Sequence, residues 1–217
     1  NNSKKKELVQ FTALIGIGGI ISKLLSIPHS IIYAKYLLPS GFGLLQLIKV
    51  IVSYVGYAGL GIAQGMNRNV PREYTAKNFN KAKRIKDLTF TWFFFITFVA
   101  VICLWTIYFF SDMLKSKLGS LDLILLSIII ILGRANAFVK PLLKADGYFV
   151  AIGKTSLINN MIAPIIGIVL VLLINLTGAI IALAFNQLLT FLLFLYFYRD
   201  YKPEVYVSWD LFKEQMS

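Results

Sequence analysis

Long apolar runs alternate along the chain with short polar breaks. The runs fall at Leu8–Tyr36, Phe42–Gly65, Leu88–Phe110, Leu121–Leu143, Thr155–Leu176 and Gly178–Tyr198. Each has the roughly 20 apolar residues that one helical crossing of a bilayer needs. Hydrocarbon offers a backbone amide no partner, so runs of this length predict helices, and six of them predict an all-α, polytopic membrane protein built as a six-helix bundle. The link Leu37–Gly41 (LLPSG) is short and Leu176–Gly178 (LTG) shorter still, so both predict hairpins between neighbouring helices. Pro28 and Pro164 lie inside runs, where adjacent helices can satisfy the carbonyls they free.

Composition agrees with this pattern. Of 217 residues, 58% are hydrophobic and 15% charged, with a mean hydropathy of +0.73. That balance excludes a disordered tail, a collagen-like fibre and a disulfide-stapled secreted domain. Cys103 is the single cysteine and sits in an apolar run, so it reads as a lipid-facing or packed hydrophobe. No metal or cofactor motif is expected. The start, NNSKKKELVQ, lacks the short apolar core and small-residue cleavage site of a signal peptide, so the first run reads as a permanent span.

The net charge of +12 changes the picture by fixing direction. In a soluble protein it would suggest nucleic acid; in a membrane protein Lys and Arg collect in cytoplasmic loops. Sixteen cations fall on one side of the six runs: Lys4, Lys5 and Lys6; Arg68, Arg72, Lys77, Lys81, Lys83, Arg84 and Lys86; Lys140, Lys144 and Lys154; Arg199, Lys202 and Lys213. Lys35, Lys115 and Lys117 fall on the other. Both termini are therefore expected in the cytoplasm, with the chain in the inner (cytoplasmic) membrane. Trp92, Trp105, Tyr108, Tyr196 and Tyr198 suit the interfacial belts.

Three cations, Lys23, Lys49 and Arg134, remain inside runs. Three uncompensated charges at mid-bilayer cost on the order of 8–10 kcal/mol, and no Asp or Glu lies at comparable depth. Gly16, Gly19, Lys23, Ser26 and Ser30 recur at steps of three and four, as do Gln46, Lys49, Ser53 and Gly56; Ser127 and Arg134 are seven apart. Three polar stripes converging on one interior would form a hydrated cationic cavity for an anion, and phosphate suits both the Arg fork and the Lys point charge. The plain reading of Lys49 is snorkelling to the outer interface, roughly 11 Å away along its helix.

Other polar positions carry less. His29 beside Pro28 reads as a bonded structural residue before a proton carrier. Asn159, Asn160, Asn186 and Gln187 suit interhelical hydrogen bonds or sugar hydroxyls. The glycines at 16–19 and the series Gly56, Gly59, Gly61, Gly65 permit close helix approach or hinge motion and do not fit a nucleotide loop. The segment Asn67–Asp87 reads as a basic connector with a short surface helix near anionic lipid. The chain divides into a six-helix lobe, 1–200, and a tail, 201–217, with an N-cap expected at Ser208, that lies at the interface or connects onward.

The stretch AKYLLPSGFGLLQLIKVIVSYVGYAGLGIAQGMNRNVPREYTAKNFNKAKRI carries a resemblance. Its features are Pro39 and Gly41-Phe42-Gly43 after the first helix, the glycine-rich second helix, and the exit through Arg68 into a basic loop with Pro71-Arg72. In these it resembles the polysaccharide and O-antigen flippases of the multidrug/oligosaccharidyl-lipid/polysaccharide exporter superfamily, whose fold is MATE-like. The resemblance implies two six-helix lobes around a central cavity that move undecaprenyl-diphosphate-type oligosaccharides between leaflets, so the chain would be an N-terminal lobe partnered by a second one, as a start without Met also suggests. It further implies that Lys23, Lys49 and Arg134 are substrate-binding cations for the lipid diphosphate. The expectation is a transporter and not an enzyme, acting with membrane lipids and a lipid-linked glycan and not with nucleic acid. The alternatives are a cation-coupled drug or metabolite antiporter, which needs cavity carboxylates; a prenyl-phosphate transferase, which needs a base, nucleophile or metal cluster that the sequence does not display; and a scaffold, which leaves the internal cations unexplained.

Overall fold

The computed structural model describes the backbone except at residues 1, 60, 113, 114, 116, 117, 198–203 and 217, and side chains except at these and at 2–11, 14, 15, 215 and 216. The expectations resting on Lys4, Lys5, Lys6, Lys117, Tyr198, Arg199, Lys202 and the boundary at 200 lie outside the described residues. The fold is all-helical: α1 (Asn2–Tyr57), α2 (Ile62–Thr75), α3 (Phe79–Phe110), α4 (Ser120–Ala145), α5 (Phe149–Phe197) and α6 (Trp209–Met216). Four of these, α1 from Gly16 onward, α3, α4 and α5, are long and apolar enough to cross a membrane, so the protein is membrane-embedded.

α1 and α5 each contain one residue outside helical geometry, Leu38 (φ 58, ψ 166) and Asn175 (φ 52, ψ −125). Pro39 disfavours helical dihedrals at Leu38, though not by itself the positive φ found there. Asn is among the few residues that tolerate positive φ. The register across α5 shows that the chain reverses there. Asn159 bonds Asn186, Gly167 packs near Ala182, and Gly178 lies against the backbone of Leu170. As one number rises the other falls, the signature of an antiparallel hairpin. α1 reverses by the same logic. Its first limb runs parallel to the first limb of α5, with Gly18 near Asn160 and Tyr33 near Gly167. Its second limb runs parallel to α4, with Ile48 packed among Leu126 and Ile129 and Val55 bonded to Arg134. The hairpins expected at LLPSG and beside LTG are therefore present.

Three boundaries differ from expectation. The second run was expected to be helical to Gly65, but α1 stops at Tyr57, the chain turns at Ala58, Gly59 and Gly61, where Gly61 has φ 81, and α2 starts at Ile62. Of the glycine series, Gly56 and Gly65 lie inside helices and Gly61 takes the positive φ of the turn between them. α3 begins at Phe79, before Leu88, because Ala82 and Ile85 bury an apolar face within a segment of polar composition. α5 begins at Phe149, before Thr155, directly after a turn in which Gly147 has φ 84.

Among the described residues the core consists of three apolar clusters. At one end Met66, Val70, Ile85, Phe93, Phe138 and Leu142 join α2, α3 and α4. This end also holds a buried ion pair: Lys86 Nζ donates to Asp146 Oδ1 at 2.6 Å and to Oδ2 at 2.8 Å, and the Tyr74 hydroxyl donates to Asp146 Oδ1 at 2.9 Å. Burial, with a smaller contribution from the Asp146 charge that Lys86 opposes, moves the Tyr74 hydroxyl pKa above its ordinary value. The tail docks here. Glu204 N donates to Asp87 Oδ1, Tyr206 N donates to Thr91 Oγ1, Lys81 pairs with Glu214, and the Trp92 and Phe212 rings meet at 4.8 Å. Ser208 caps α6 as its sequence suggests, its Oγ accepting from Leu211 N.

Candidate functional site

Arg134 lies near the middle of α4 and is 3% exposed. Its Nη1 donates to Val55 O and Gly56 O, both at 3.1 Å. These carbonyls belong to the last turn of α1, where helix carbonyls run out of intrahelical donors. The guanidinium thus caps a helix C-terminus, with its charge at the negative end of the helix dipole. The capping explains part of the residue's presence and leaves the rest open. Nε and Nη2 are buried without a hydrogen-bond partner, and each such orphan costs about 1–3 kcal/mol. The Phe93 ring covers the guanidinium with its centroid 4.3 Å from Cζ, a cation–π contact worth about 2 kcal/mol when desolvated. The Gly59 backbone lies beside the guanidinium, where a Cβ would stand 3.6 Å from Nη2.

Arg134 is one of the residues lining a groove of about 460 Å³ between α3, α4 and α5. Phe90, Phe93, Phe94, Phe98, Phe138 and Phe191 line it, with Thr97 as the one other polar side chain besides Arg134. An apolar groove with one cation in its wall suits an amphiphile that carries an anionic group. The groove was not foreseen from sequence. The signal available was the spacing of Phe90, Phe94 and Phe98 at steps of four, one face of one helix.

No family model, curated protein or solved structure matches the chain. The site is therefore read from its own chemistry.

The other two cations stand apart from Arg134 on the limbs of α1. Lys49 is half-buried and lies close enough to His29 for its charge to act there. Lys23 is exposed, as are Gly16, Ser26, Ser30, Gln46, Ser53 and Gly56 of the two stripes. Both stripes thus lie on open surface of α1, whereas Ser127 and Arg134 are buried inside the bundle. Ser127 is consumed by packing: it accepts from Trp105 Nε1 at 3.1 Å and donates to Leu123 O. His29 stacks on Tyr33 at 4.0 Å, and both rings fill a notch at Gly167, where a Cβ would fall 2.8 Å from the Tyr33 hydroxyl. Packing accounts for this histidine. The amides do bond between helices, Asn159 Nδ2 to Asn186 Oδ1 at 2.6 Å and Asn136 Nδ2 to both Gln187 O and Oε1 at 2.9 Å. Asn136 was absent from the sequence-level candidates because a lone amide in an apolar run gives no sign of what it meets.

Proposed function

We propose that the chain is one six-crossing lobe of a flippase that moves an undecaprenyl-diphosphate-type oligosaccharide across the cytoplasmic membrane for polysaccharide biosynthesis. The observation that carries this reading is Arg134, a buried cation with two unbonded donors in the wall of an aromatic groove. A lipid diphosphate supplies what is lacking there, acceptor oxygens and negative charge, while its prenyl tail matches the apolar wall.

Six crossings fit the lengths involved. At 1.5 Å per residue, helices of 56 and 49 residues run to about 84 and 74 Å, more than twice a hydrocarbon core of about 30 Å. Division at Leu38 and Asn175 brings the second limb of α1 and both limbs of α5 to roughly bilayer length, and the first limb of α1 is longer than one crossing needs. The charge bias supports cytoplasmic termini. The exposed stripes of α1, with Lys23 and Lys49, are too polar to face lipid cheaply, and they suit a hydrated cavity shared with a second lobe. In that arrangement Lys23 and Lys49 attract the diphosphate electrostatically, the sugars pass through water, and the tail remains among the helices. Rocking of one lobe against the other exposes the site alternately. Nε and Nη2 of Arg134 are covered, so they meet the phosphate when the Phe93 ring or the Gly59 turn moves, a change of the kind alternating access provides.

The test is surface glycan in cells carrying variants of the full-length protein. A charge-assisted hydrogen bond contributes about 1.5–3 kcal/mol, so the Lys23→Ala, Arg134→Ala double variant is expected to lower export at least tenfold. Because Arg134 also caps α1, the Lys23→Ala, Lys49→Ala pair, which removes no packing cap, is measured beside it. Unchanged export in that pair at normal membrane abundance would contradict the proposal.

A further inference from the structure

The tail lies against the first turns of α3 as a hairpin. Glu204 N donates to Asp87 Oδ1, and Tyr206 N donates to Thr91 Oγ1 one helical turn further on. The extended arm therefore climbs α3 toward the apolar stretch that starts at Leu88, within a helix long enough to cross a membrane. α6 then returns. Its Phe212 ring meets Trp92 at 4.8 Å, and Glu214 pairs with Lys81, about 16 Å back along α3 at 1.5 Å per residue. The bend of the hairpin, residues 207–209, is its part nearest the membrane.

The bend is apolar and uncovered. Alternate residues of an extended arm face opposite ways. Tyr206 turns to α3, its ring 5.8 Å from Arg84 Cζ, while Val205 and Val207 point away and are 79% and 78% exposed. Trp209 follows, 65% exposed, and stacks on Phe212. Trp92 links Phe212 to Phe95, and Phe94 and Phe95 are themselves exposed. The uncovered side chains of the tail thus continue the apolar outer surface of α3.

The charges beside the bend are unbalanced. Glu204 is paired with Lys83 and Glu214 with Lys81. Arg84 and Lys213 have no carboxylate partner among the described residues. Each lies over a ring of the tail, Lys213 Nζ at 6.0 Å from the Trp209 centroid. Asp210 is the one tail acid without a partner among the described residues, and it stands in the first turn of α6, where the helix dipole favours it.

We infer that the hairpin is a membrane-surface anchor selective for anionic phospholipid. Val207 and Trp209 enter the interface, the level at which Trp side chains collect. Arg84 and Lys213, held beside them by the Tyr206 and Trp209 rings, pair with headgroup phosphates. Apolar residues on one side of a short amphipathic segment and cations at its flank are the pattern that binds an anionic surface. With the termini in the cytoplasm, as the charge bias predicts, the hairpin meets the leaflet that carries anionic lipid. A second copy of the chain, docked face to face, would set the same two cations against their equivalents, so charge favours lipid. The anchor is independent of what the protein transports.

The experiment is spin labelling of the full chain in lipid nanodiscs. Val207→Cys in a Cys103→Ala background carries the label at the bend, where the side chain is exposed. Two references bracket it: the native Cys103, exposed on α3, for the bilayer, and Asn80→Cys, exposed in the first turn of α3, for water. In phosphatidylcholine with one third phosphatidylglycerol, the label at 207 should be open to oxygen and shielded from a water-soluble nickel chelate. Each cation near an anionic surface contributes about fivefold. The Arg84→Gln, Lys213→Gln variant, which removes two exposed side chains and keeps the melting temperature, should therefore lower the ratio of shielded to open label about twentyfold. Pure phosphatidylcholine should lower it likewise, and high salt should weaken it. A label at 207 as open to the chelate as the one at 80 overturns the inference. So does shielding of equal extent in pure phosphatidylcholine and in the double variant. Shielding from oxygen as well as chelate, or only in nanodiscs that hold two copies, means that protein covers the bend and also overturns it.

Discussion

Lys86→Met is expected to lower the stability of the protein by about 3–5 kcal/mol, the range for removing one partner of a buried ion pair. Lys86 and Asp146 have side chains 7% and 9% exposed, so the loss of the ammonium leaves a carboxylate that water scarcely reaches. The Tyr74 hydroxyl remains as a donor to Asp146 and offsets a minor part of the cost. The pair ties α3 to the turn between α4 and α5, with α2 joined through Tyr74, so its failure loosens three elements together. The double variant Lys86→Met, Asp146→Leu should recover most of the stability, because replacing both charges by apolar groups removes the desolvation cost along with the attraction. Thermal unfolding in detergent of the two single variants and the double gives the coupling energy. A Lys86→Met protein melting within a degree of wild type would show that the pair contributes nothing net.

Gly178→Ala is expected to be as damaging from a single methyl. A Cβ at 178 would overlap the carbonyl of Leu170, whose carbon would lie 2.6 Å away, and backbone atoms cannot rotate aside as a side chain can. Overpacking costs about 1–3 kcal/mol where neighbours adjust, and here the upper end or beyond applies because the hairpin of α5 closes at this contact. Gly43→Ala is the control: nothing lies within 4 Å of its Cβ position, and it sits in a helix, where alanine is favoured by about 1 kcal/mol. Yield and melting temperature in detergent should fall for Gly178→Ala and hold or rise for Gly43→Ala. Equal behaviour of the two would mean that the limbs of α5 are not in close contact at this point.

The helical class, the membrane embedding and both hairpins were legible because each rests on local chemistry. Apolar runs of bilayer length admit few folds, and Pro39 beside Leu38 and the polar Asn175 beside LTG mark reversals in the residues themselves. The end of α1 was misread because glycine serves close packing and chain turning equally well, and Gly56, Gly59 and Gly61 do not say which. The start of α3 was misread because Lys81, Lys83 and Lys86 suggest a solvated loop, although Ala82 and Ile85 between them turn one face inward. The Lys86–Asp146 pair joins residues 60 apart, and the Arg134 cap on Val55 and Gly56 spans nearly 80. Contacts of that separation leave no periodic trace. Arg134 could be singled out for its depth, but the helix end it serves was hidden by the misread boundary. Lys23 and Lys49 could likewise be seen as anomalous, while their exposure on α1 depended on how the hairpin packs.

The most direct measurement of the central claim is transbilayer movement of a fluorescent prenyl-diphosphate sugar in proteoliposomes of the full-length protein, with proton and sodium gradients imposed in turn. The wild-type protein should move the lipid well above the protein-free rate under one of these conditions, and Lys23→Ala, Lys49→Ala should slow it at least tenfold with the fold intact. A wild-type rate no faster than bare liposomes, or a double variant as fast as wild type, would contradict the account.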